Sequence, residues 1–168
     1  VSGLPSRQTY TIAETSGATG YSFTIDPVTF EITPNGTVSK KFTNKAMTGN
    51  IVIQKHTLDN VLSGWKFRVH GTALTGQTYD KTYTTDAQGK IIISNLRIGT
   101  YTVEEVTTGV VGYITPENRT VEVKYNKTVT VNMQNTPYGN INIKKVNSKT
   151  GEIVSGAKFA IYESDGVT

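Results

Sequence analysis

Residues 49–55 read Gly49-Asn50-Ile51-Val52-Ile53-Gln54-Lys55, and residues 139–145 read Gly139-Asn140-Ile141-Asn142-Ile143-Lys144-Lys145. In an extended strand successive side chains point to opposite faces, so Ile51, Ile53 and Lys55 share one face of the first repeat. The second repeat places Lys145 on an apolar face in the same way. An amine on an apolar face needs a partner group.

A second repeated pattern supplies a carboxyl group. Residues 10–14 read Tyr-Thr-Ile-Ala-Glu and residues 101–105 read Tyr-Thr-Val-Glu-Glu, and a Gly-Tyr pair follows each of them. The alternation of side chains puts Glu14 and Glu105 on the apolar faces of their strands. Each repeat is therefore expected to bury a carboxyl group.

A third repeated pattern ends a strand in asparagine. In one repeat Val38 and Phe42 share a face with Asn44, and in the other Val129, Val131 and Met133 share a face with Asn135. Each repeat unit thus offers a lysine, a glutamate and an asparagine on apolar strand faces.

The composition limits the classes of function. The 168 residues, 36% of them apolar, suit about two units of roughly 85 residues, and the absence of cysteine excludes disulfides and thiolate metal sites. The net charge of +4 arises from 17 basic and 13 acidic residues scattered along the chain, which does not favour binding to nucleic acid or membranes. No apolar run approaches about 18 residues, so we expect a soluble piece whose secretion signal and anchor, if any, lie outside it.

The middle of the chain is typical of short strands separated by Gly, Asn and Asp turns, and no segment favours a helix. The predicted strands are 49–57, 65–71, 78–84, 90–95, 99–106, 117–124 and 127–135. Seven strands at this spacing predict an all-β fold of the immunoglobulin-like sandwich type.

The flanks match parts of this unit. We predict that residues 1–48 are the C-terminal part of one domain, 49–137 a complete domain, and 138–168 the N-terminal part of a further domain. Reading from Thr168 into Val1 puts Gly166 twelve positions before Tyr10, the spacing of Gly89 to Tyr101. The chain then looks like one period of a tandem array, an engineered permutation, or a truncated piece with unpaired ends. Short linkers make head-to-tail completion between copies more plausible than closure within one chain.

The unit resembles the Cna B-type (SpaA-like, prealbumin-like) domains of Gram-positive surface adhesins and pilins. The residues that carry this resemblance, repeated in part in the flanks, are 49–55, Leu62-Ser63-Gly64-Trp65-Lys66-Phe67, 96–105, Gly112-Tyr113 and Asn135.

The resemblance implies tandem β-sandwiches, each with a spontaneous amide between lysine and asparagine. It implies a bond between Lys55 and Asn135 assisted by Glu105, and one between Lys145 and Asn44 assisted by Glu14 across the junction of two copies. Val106 follows Glu105 where the family often has threonine, which leaves the carboxyl in place. Such a bond needs no cofactor or metal and forms once, so the chain is not expected to be a turnover enzyme.

The same residues also have an ordinary interpretation. Lys55 and Lys145 could extend from edge strands and form ion pairs with Glu105 and Glu14. Glu104, Lys144 and Gln134 have the opposite parity and serve as controls. The two histidines lack the partners of a metal site or a catalytic triad.

We therefore expect a structural stalk segment of a cell-surface adhesin or fimbrial protein, held on the cell wall of a Gram-positive bacterium. Its partners would be neighbouring repeats or copies, and a host ligand bound by other parts of the full protein. The alternatives are a self-assembling unit whose split domain joins copies, a direct host-ligand-binding module and a sortase-linked pilin backbone, although a complete Leu-Pro-x-Thr-Gly sorting signal is absent from these residues.

Overall fold

The computed structural model describes residues 1–23, 26–106 and 110–162. The chain divides into two compact units, Val1–Pro137 and Tyr138–Thr168. The junction predicted between Thr168 and Val1 involves residues 163–168, which lie outside the described residues. The completion of one copy by the next therefore stays a prediction. The domain boundaries predicted at 48/49 and 137/138 also stay predictions.

The described ranges contain strands and no helix, so no helix there is long and apolar enough to cross a membrane. The all-β prediction is confirmed. The strands are β1 (Thr9–Ile12), β2 (Val28–Glu31), β3 (Thr48–Thr57), β4 (Lys66–Ala73), β5 (Thr78–Thr84), β6 (Lys90–Arg97), β7 (Gly99–Val106), β8 (Tyr113–Ile114), β9 (Arg119–Val123) and β10 (Thr128–Pro137).

Two four-stranded sheets form the sandwich of residues 48–137. One sheet has the order β6-β3-β10-β8 and the other has the order β5-β4-β7-β9. Most neighbouring strands are antiparallel, but β3 and β10 run parallel, with Asn50 opposite Thr128 and Thr57 opposite Asn135. The chain therefore enters the sandwich at one end of this strand pair and leaves it at the other.

The alternation of the sequence decides which face of each strand is buried. In β3 the residues Ile51 and Ile53 are fully buried, and Met133 of β10 is 1% exposed, while the residues between them are more accessible. Burying these side chains between the two sheets is the main stabilising contribution to the sandwich, because apolar burial contributes roughly 25 cal/mol per Å². The core is completed by Trp65, Phe67, Val69, Ile91, Ile93, Leu96, Tyr101, Val103, Val123 and Val131.

The first 47 residues contain a small antiparallel sheet of β1 and β2, in which Tyr10 lies opposite Phe30. An isolated bridge joins Tyr21 to Ala46. The corresponding pair in the sandwich is Tyr113 of β8 and Pro137 of β10. The amino-terminal segment thus reproduces part of the strand pairing of the sandwich.

Two segments with strand patterns do not form strands. The prediction that a strand ends at Asn44 is wrong for residues 38–44, and the pattern of residues 139–145 also lies outside the strands that the structure describes. An extended segment is stable in a sheet only when its backbone N–H and C=O groups have a neighbouring strand to bond. Their counterparts in the sandwich, β10 and β3, pair with each other.

Candidate functional site

Three of the side chains singled out by the sequence come together in the interior of the sandwich. Lys55 of β3 is 0% exposed, Asn135 of β10 is 1% exposed and Glu105 of β7 is 8% exposed. Lys55 and Asn135 lie on adjacent strands of one sheet, whereas Glu105 belongs to the opposite sheet. Strand parity thus brings an amine, a carboxamide and a carboxyl group into one region of the core.

Both hydrogens of the Asn135 side-chain amide have acceptors. Its Nδ2 donates to Oε1 of Glu105 at 2.8 Å and to the carbonyl oxygen of Ile114 at 3.0 Å. Oδ1 of Asn135 and Oε2 of Glu105 are buried and have no hydrogen-bond partner in the described part of the chain. The nitrogen of the amide is therefore held in place, while its oxygen and one carboxyl oxygen are left without a protein partner.

Lys55 lies in an apolar, aromatic environment. Its Nζ donates to the carbonyl oxygen of its neighbour His56 at 2.6 Å and lies 4.0 Å from the centre of the Trp65 ring. Burial lowers the pKa of Lys55 to about 8, although the carboxyl group of Glu105 partly opposes this shift. A lysine with this pKa is deprotonated near neutral pH far more often than an ordinary one.

Trp65 is itself fixed by its neighbours. Its Nε1 donates to the carbonyl oxygen of Val61 at 2.8 Å, and its ring packs edge-on against Tyr113 with the centres 4.9 Å apart. The Tyr113 hydroxyl donates to Oδ2 of Asp59 at 2.6 Å. These contacts hold the indole against Lys55 and keep water away from the amine.

The pKa of Glu105 is shifted in the opposite direction from that of Lys55. Burial raises the pKa of Glu105, while the hydrogen bond from Asn135 and the charge of Lys55 lower it in part. Desolvation therefore favours the neutral forms of both the amine and the acid. A neutral amine is a nucleophile, an amide carbon is an electrophile, and a protonated carboxyl can donate to an amide oxygen.

The amino-terminal segment contains a second pair of the same kind. Nδ2 of Asn44 donates to Oε1 of Glu14 at 2.7 Å, and both residues are partly buried. Thirty positions separate the members of this pair and also those of the pair of Asn135 and Glu105. The lysine predicted to complete the second site, Lys145, belongs to the other compact unit, where its side chain is exposed.

The control residues lie away from the site. Glu104 accepts from Arg68 at 3.4 Å and lies 3.8 Å from His70 on the outer face of its sheet. Lys144 and Gln134 are exposed. Within residues 1–23, 26–106 and 110–162, no group of three or more His, Asp or Glu side chains could hold a metal ion.

The sequence interpretation missed two parts of this site. No role at this site was predicted for Trp65 or for the backbone of Ile114. The repeated Gly-Tyr pair that precedes Ile114 was a signal for a special local structure, but neither contact can be derived from strand parity, which says nothing about residues on other elements.

The chain was compared with known proteins. The family model described as "SpaA: Prealbumin-like fold domain" matches residues 49–137. A search of the curated proteins found no match.

Several solved structures are similar to parts of this chain. The Bacillus anthracis TIE protein is 24% identical with a TM-score of 0.49, and the match covers 68% of this chain and 20% of that one. The full-length major pilin SpaD from Corynebacterium diphtheriae is 19% identical with a TM-score of 0.46, and the match covers 54% of this chain and 30% of that one. GBS52, the minor pilin of Streptococcus agalactiae, is 20% identical with a TM-score of 0.47, and the match covers 84% of this chain and 65% of that one. The matched region is less than two thirds of each of these structures.

Proposed function

This chain belongs to the family of SpaA prealbumin-like fold domains, and from that premise we propose that it is a structural stalk segment of a Gram-positive surface adhesin or fimbrial protein. In this proposal the sandwich of residues 48–137 is locked by an amide bond between Lys55 and Asn135, formed with the help of Glu105. The protein would be extracellular and attached to the cell wall. It would bear load and would not turn over a substrate.

The observation that supports the proposal best is the burial of all three groups together. A lysine that is 0% exposed beside an asparagine and a carboxyl group is unusual in a protein core, because each buried polar group costs free energy unless it is well paired. Here Oδ1 of Asn135 and Oε2 of Glu105 lack partners. A covalent bond that removes the amine and uses the carboxyl as a proton carrier gives a reason for keeping all three.

The proposed amide forms from the three buried groups, with Lys55 as the nucleophile, Asn135 as the electrophile and Glu105 as the proton carrier. The neutral Nζ of Lys55 leaves the carbonyl of His56 and attacks Cγ of Asn135, while Glu105, which lies 2.8 Å from Nδ2 of the same amide, is placed to pass a proton to that nitrogen. A bond forms between Nζ and Cγ, the bond between Cγ and Nδ2 breaks, and the amine proton passes through Glu105 to the departing nitrogen. The products are a secondary amide and one ammonia. No oxidant or cofactor is needed, and folding supplies effective molarities that can reach about 10⁵ to 10⁸ M.

The strand topology suits a bond that carries force. The chain enters β3 at Thr48 and leaves β10 at Pro137, and these two strands are parallel neighbours. Pulling on the two ends therefore shears β3 against β10. A covalent bond between Lys55 and Asn135 would join these strands directly, so the force would pass through the bond and bypass most of the sandwich.

The comparison of intact masses tests this proposal. The purified chain, measured under denaturing conditions, should lack the mass of one ammonia relative to its sequence for this site, and Lys55→Ala and Glu105→Ala should each restore the full mass at this site. Lys66→Ala and Glu104→Ala are matched controls, since both residues are more exposed than the site residues, and they should keep the deficit. A parent mass equal to that of the sequence would leave three buried groups without a covalent bond and would remove the basis of the load-bearing proposal.

A second candidate function, the joining of copies through their flanking segments, is favoured by a separate observation. Asn44 and Glu14 are hydrogen bonded like Asn135 and Glu105, and Lys145 holds in the second repeat the position that Lys55 holds in the first.

A further inference from the structure

A cluster of tyrosines lies at the β5 edge of the β5-β4-β7-β9 sheet. Tyr79 of β5 and Tyr101 of β7 both lie opposite Gly71 of β4, which has no side chain to separate them. Their rings meet edge to face with the centres 5.9 Å apart, and the Tyr79 hydroxyl is hydrogen bonded to that of Tyr83. Strand pairing assembles this cluster, because its members come from two strands that are not consecutive in the sequence.

The tyrosine cluster borders a cleft between β5 and β6, which are edge strands of the two sheets. The cleft has a volume of about 470 Å³, within the range of about 300 to 1,000 Å³ that is usual for small-molecule sites. Its floor is apolar, since Ala73 and Leu96 are each 5% exposed and Tyr101 is 1% exposed. The exposed side chains of Gln77 and Asn95 line it as well. An apolar floor with a few polar groups around it is typical of a ligand site.

Arg97 of β6 brings a cation to this cleft. Its Nη1 is buried without a hydrogen-bond partner in the described part of the chain, and no ion pair among the described residues includes it. Its guanidinium carbon lies 5.0 Å from the centre of the Tyr21 ring, but a ring does not supply the oxygen acceptors that a guanidinium binds best. A buried donor without an acceptor costs free energy, so a ligand that brings an acceptor to Arg97 would be bound favourably.

The charges around the cleft favour an anion. Lys81 has the same strand parity as Tyr79, and its Nζ lies 5.7 Å from the centre of the Tyr79 ring. Asp80 has the opposite parity, and its carboxyl group accepts from Arg68 at 2.8 and 2.6 Å. The one carboxyl group among the lining residues is therefore already neutralised, whereas Lys81 and Arg97 both leave a positive charge at the cleft.

From these observations we propose that this cleft binds a sugar that carries a carboxylate, of the uronic acid type. The carboxylate pairs with the guanidinium of Arg97, whose planar set of N–H groups matches two carboxylate oxygens. The sugar ring lies against Tyr79 and the apolar floor. The amides of Gln77 and Asn95 each offer both donors and an acceptor, which suits the hydroxyl groups of a sugar because those also donate and accept.

The proposed site lies beside the strands that would carry force. Its lining residues belong to β4, β5, β6, β7 and the turn between β4 and β5, and none belongs to β3 or β10. A sugar could therefore be bound or released without breaking a contact between those two strands. The inference adds a binding role to the structural role proposed above, and it does not depend on the amide bond.

An NMR titration of the full ¹⁵N-labelled chain with two matched sugars tests the inference. Methyl β-glucuronide carries a carboxylate where methyl β-glucoside carries a hydroxymethyl group. At fixed ionic strength the glucuronide should shift the amide signals of Lys81, Asn95 and Arg97 in a saturable manner. The glucoside should bind at least about tenfold more weakly, because it lacks the charged hydrogen bonds to Arg97. Sodium acetate should also bind at least about tenfold more weakly, because it lacks the ring that covers the apolar floor.

Substitutions at the cleft should change the affinity for the glucuronide in a graded manner. Arg97→Gln should lower it at least about tenfold, and Arg97→Lys, which keeps the charge but loses the planar fork, should lie between Arg97→Gln and the parent. Tyr79→Leu should weaken the binding of both sugars by a similar factor. Lys124→Gln removes an exposed cation that pairs with Glu122 beside β9 at the opposite edge of the sheet, and it should leave the affinity unchanged. The core amide signals of each variant report whether the fold is kept.

Any of four results would overturn the inference. The first is the absence of saturable shifts at the cleft with the glucuronide. The second is an equal affinity for the glucuronide and either the glucoside or acetate. The third is an unchanged affinity in a folded Arg97→Gln variant. The fourth is saturation of the same amide signals by a tetraglutamate peptide at a lower concentration than by the glucuronide, because that result would identify a site for acidic peptides.

Discussion

Asn135 and Glu105 come from opposite sheets of the sandwich and share a buried hydrogen bond of 2.8 Å between Nδ2 and Oε1. This bond fixes the side chain whose carbon Lys55 would attack, and it fixes the acid that would carry the proton. The relationship depends on two strands that lie far apart in the sequence, so it exists only in the folded state. It explains why the proposed reaction should follow folding and should not occur in the unfolded chain.

Replacing the acid without changing its shape should remove the bond and much of the stability. We expect Glu105→Gln to show the full mass at this site and to lower the free energy of unfolding. A link between positions 55 and 135 closes a loop of 80 residues, and by analogy with disulfides its loss should cost about 4 to 5 kcal/mol. Denaturant unfolding followed by fluorescence measures this. Glu104→Gln, on the outer face, should change stability little, and an equal loss in both variants would contradict the prediction.

The rate of bond formation should depend on pH in a bell-shaped manner. The reaction needs neutral Lys55 together with protonated Glu105. Because the pKa of Lys55 is lowered to about 8 and that of Glu105 is raised from its ordinary value, the fraction of molecules in this form is constant between the two pKa values. This fraction falls above about pH 8, because Lys55 is already neutral there while Glu105 continues to lose its proton. It also falls in acid, because Glu105 is already protonated there while Lys55 continues to gain protons. Chain made in a cell-free system, shifted to a series of pH values and followed by intact mass, gives this profile. A rate that still rises beyond pH 9 would mean that the proton of Glu105 is not required.

In an unbridged variant the stability should also respond to pH. In Asn135→Ala the amine of Lys55 remains free, and its lowered pKa means that the unfolded state binds more protons than the folded state between about pH 8 and the ordinary lysine value. The free energy of unfolding should therefore rise with pH through this window. Denaturant titrations at several pH values measure it, and Lys55→Met in the same background should lack the effect. An equal rise in both would assign it to another group.

Trp65 should control how easily Lys55 reacts. Trp65→Ala opens the space 4.0 Å from Nζ to water, so the pKa of Lys55 should return toward its ordinary value and the upper limb of the pH profile should move above pH 8. The substitution should also cost about 3 to 5 kcal/mol of stability through the cavity. Trp65→Phe keeps an apolar ring there and should retain most of the rate. If the limb does not move in Trp65→Ala, the ring does not set the environment of the amine.

Gly71 should tolerate no side chain. It lies opposite Tyr101 where β4 pairs with β7, and a Cβ there would meet the Thr100 carbonyl oxygen and lie 2.8 Å from Cα of Tyr101. Backbone atoms cannot swing aside, so Gly71→Ala should force the strands apart and cost about 1 to 3 kcal/mol. Thermal unfolding measures the loss. Gly139→Ala, where a Cβ would meet nothing within 4 Å, should leave the melting temperature almost unchanged, and similar shifts in both variants would contradict the steric argument.

The sequence predicted most of the strands because strand formation in this chain follows alternation. The predicted segments 49–57, 78–84 and 99–106 agree with β3, β5 and β7 to within one residue. The short strand β8 was missed because two residues carry no periodic signal. Residues 38–44 and 139–145 have strand patterns but no strand, since a pattern states which faces are apolar and cannot supply the neighbour that a sheet requires.

Within the site, the residue types and their burial were predictable and the contacts were not. Parity alone indicated that Lys55, Glu105 and Asn135 face the core, because each strand hides every second side chain. The hydrogen bond from Asn135 to Ile114, the position of Trp65 over Lys55 and the parallel register of β3 and β10 depend on how elements distant in sequence pack. Within the sandwich, the sequence by itself determined which face of each strand is buried, because alternation is a local property of each strand. Only the tertiary structure decided which of them meet, because that depends on the order, direction and register of strands whose pairing energies are spread over the whole sandwich.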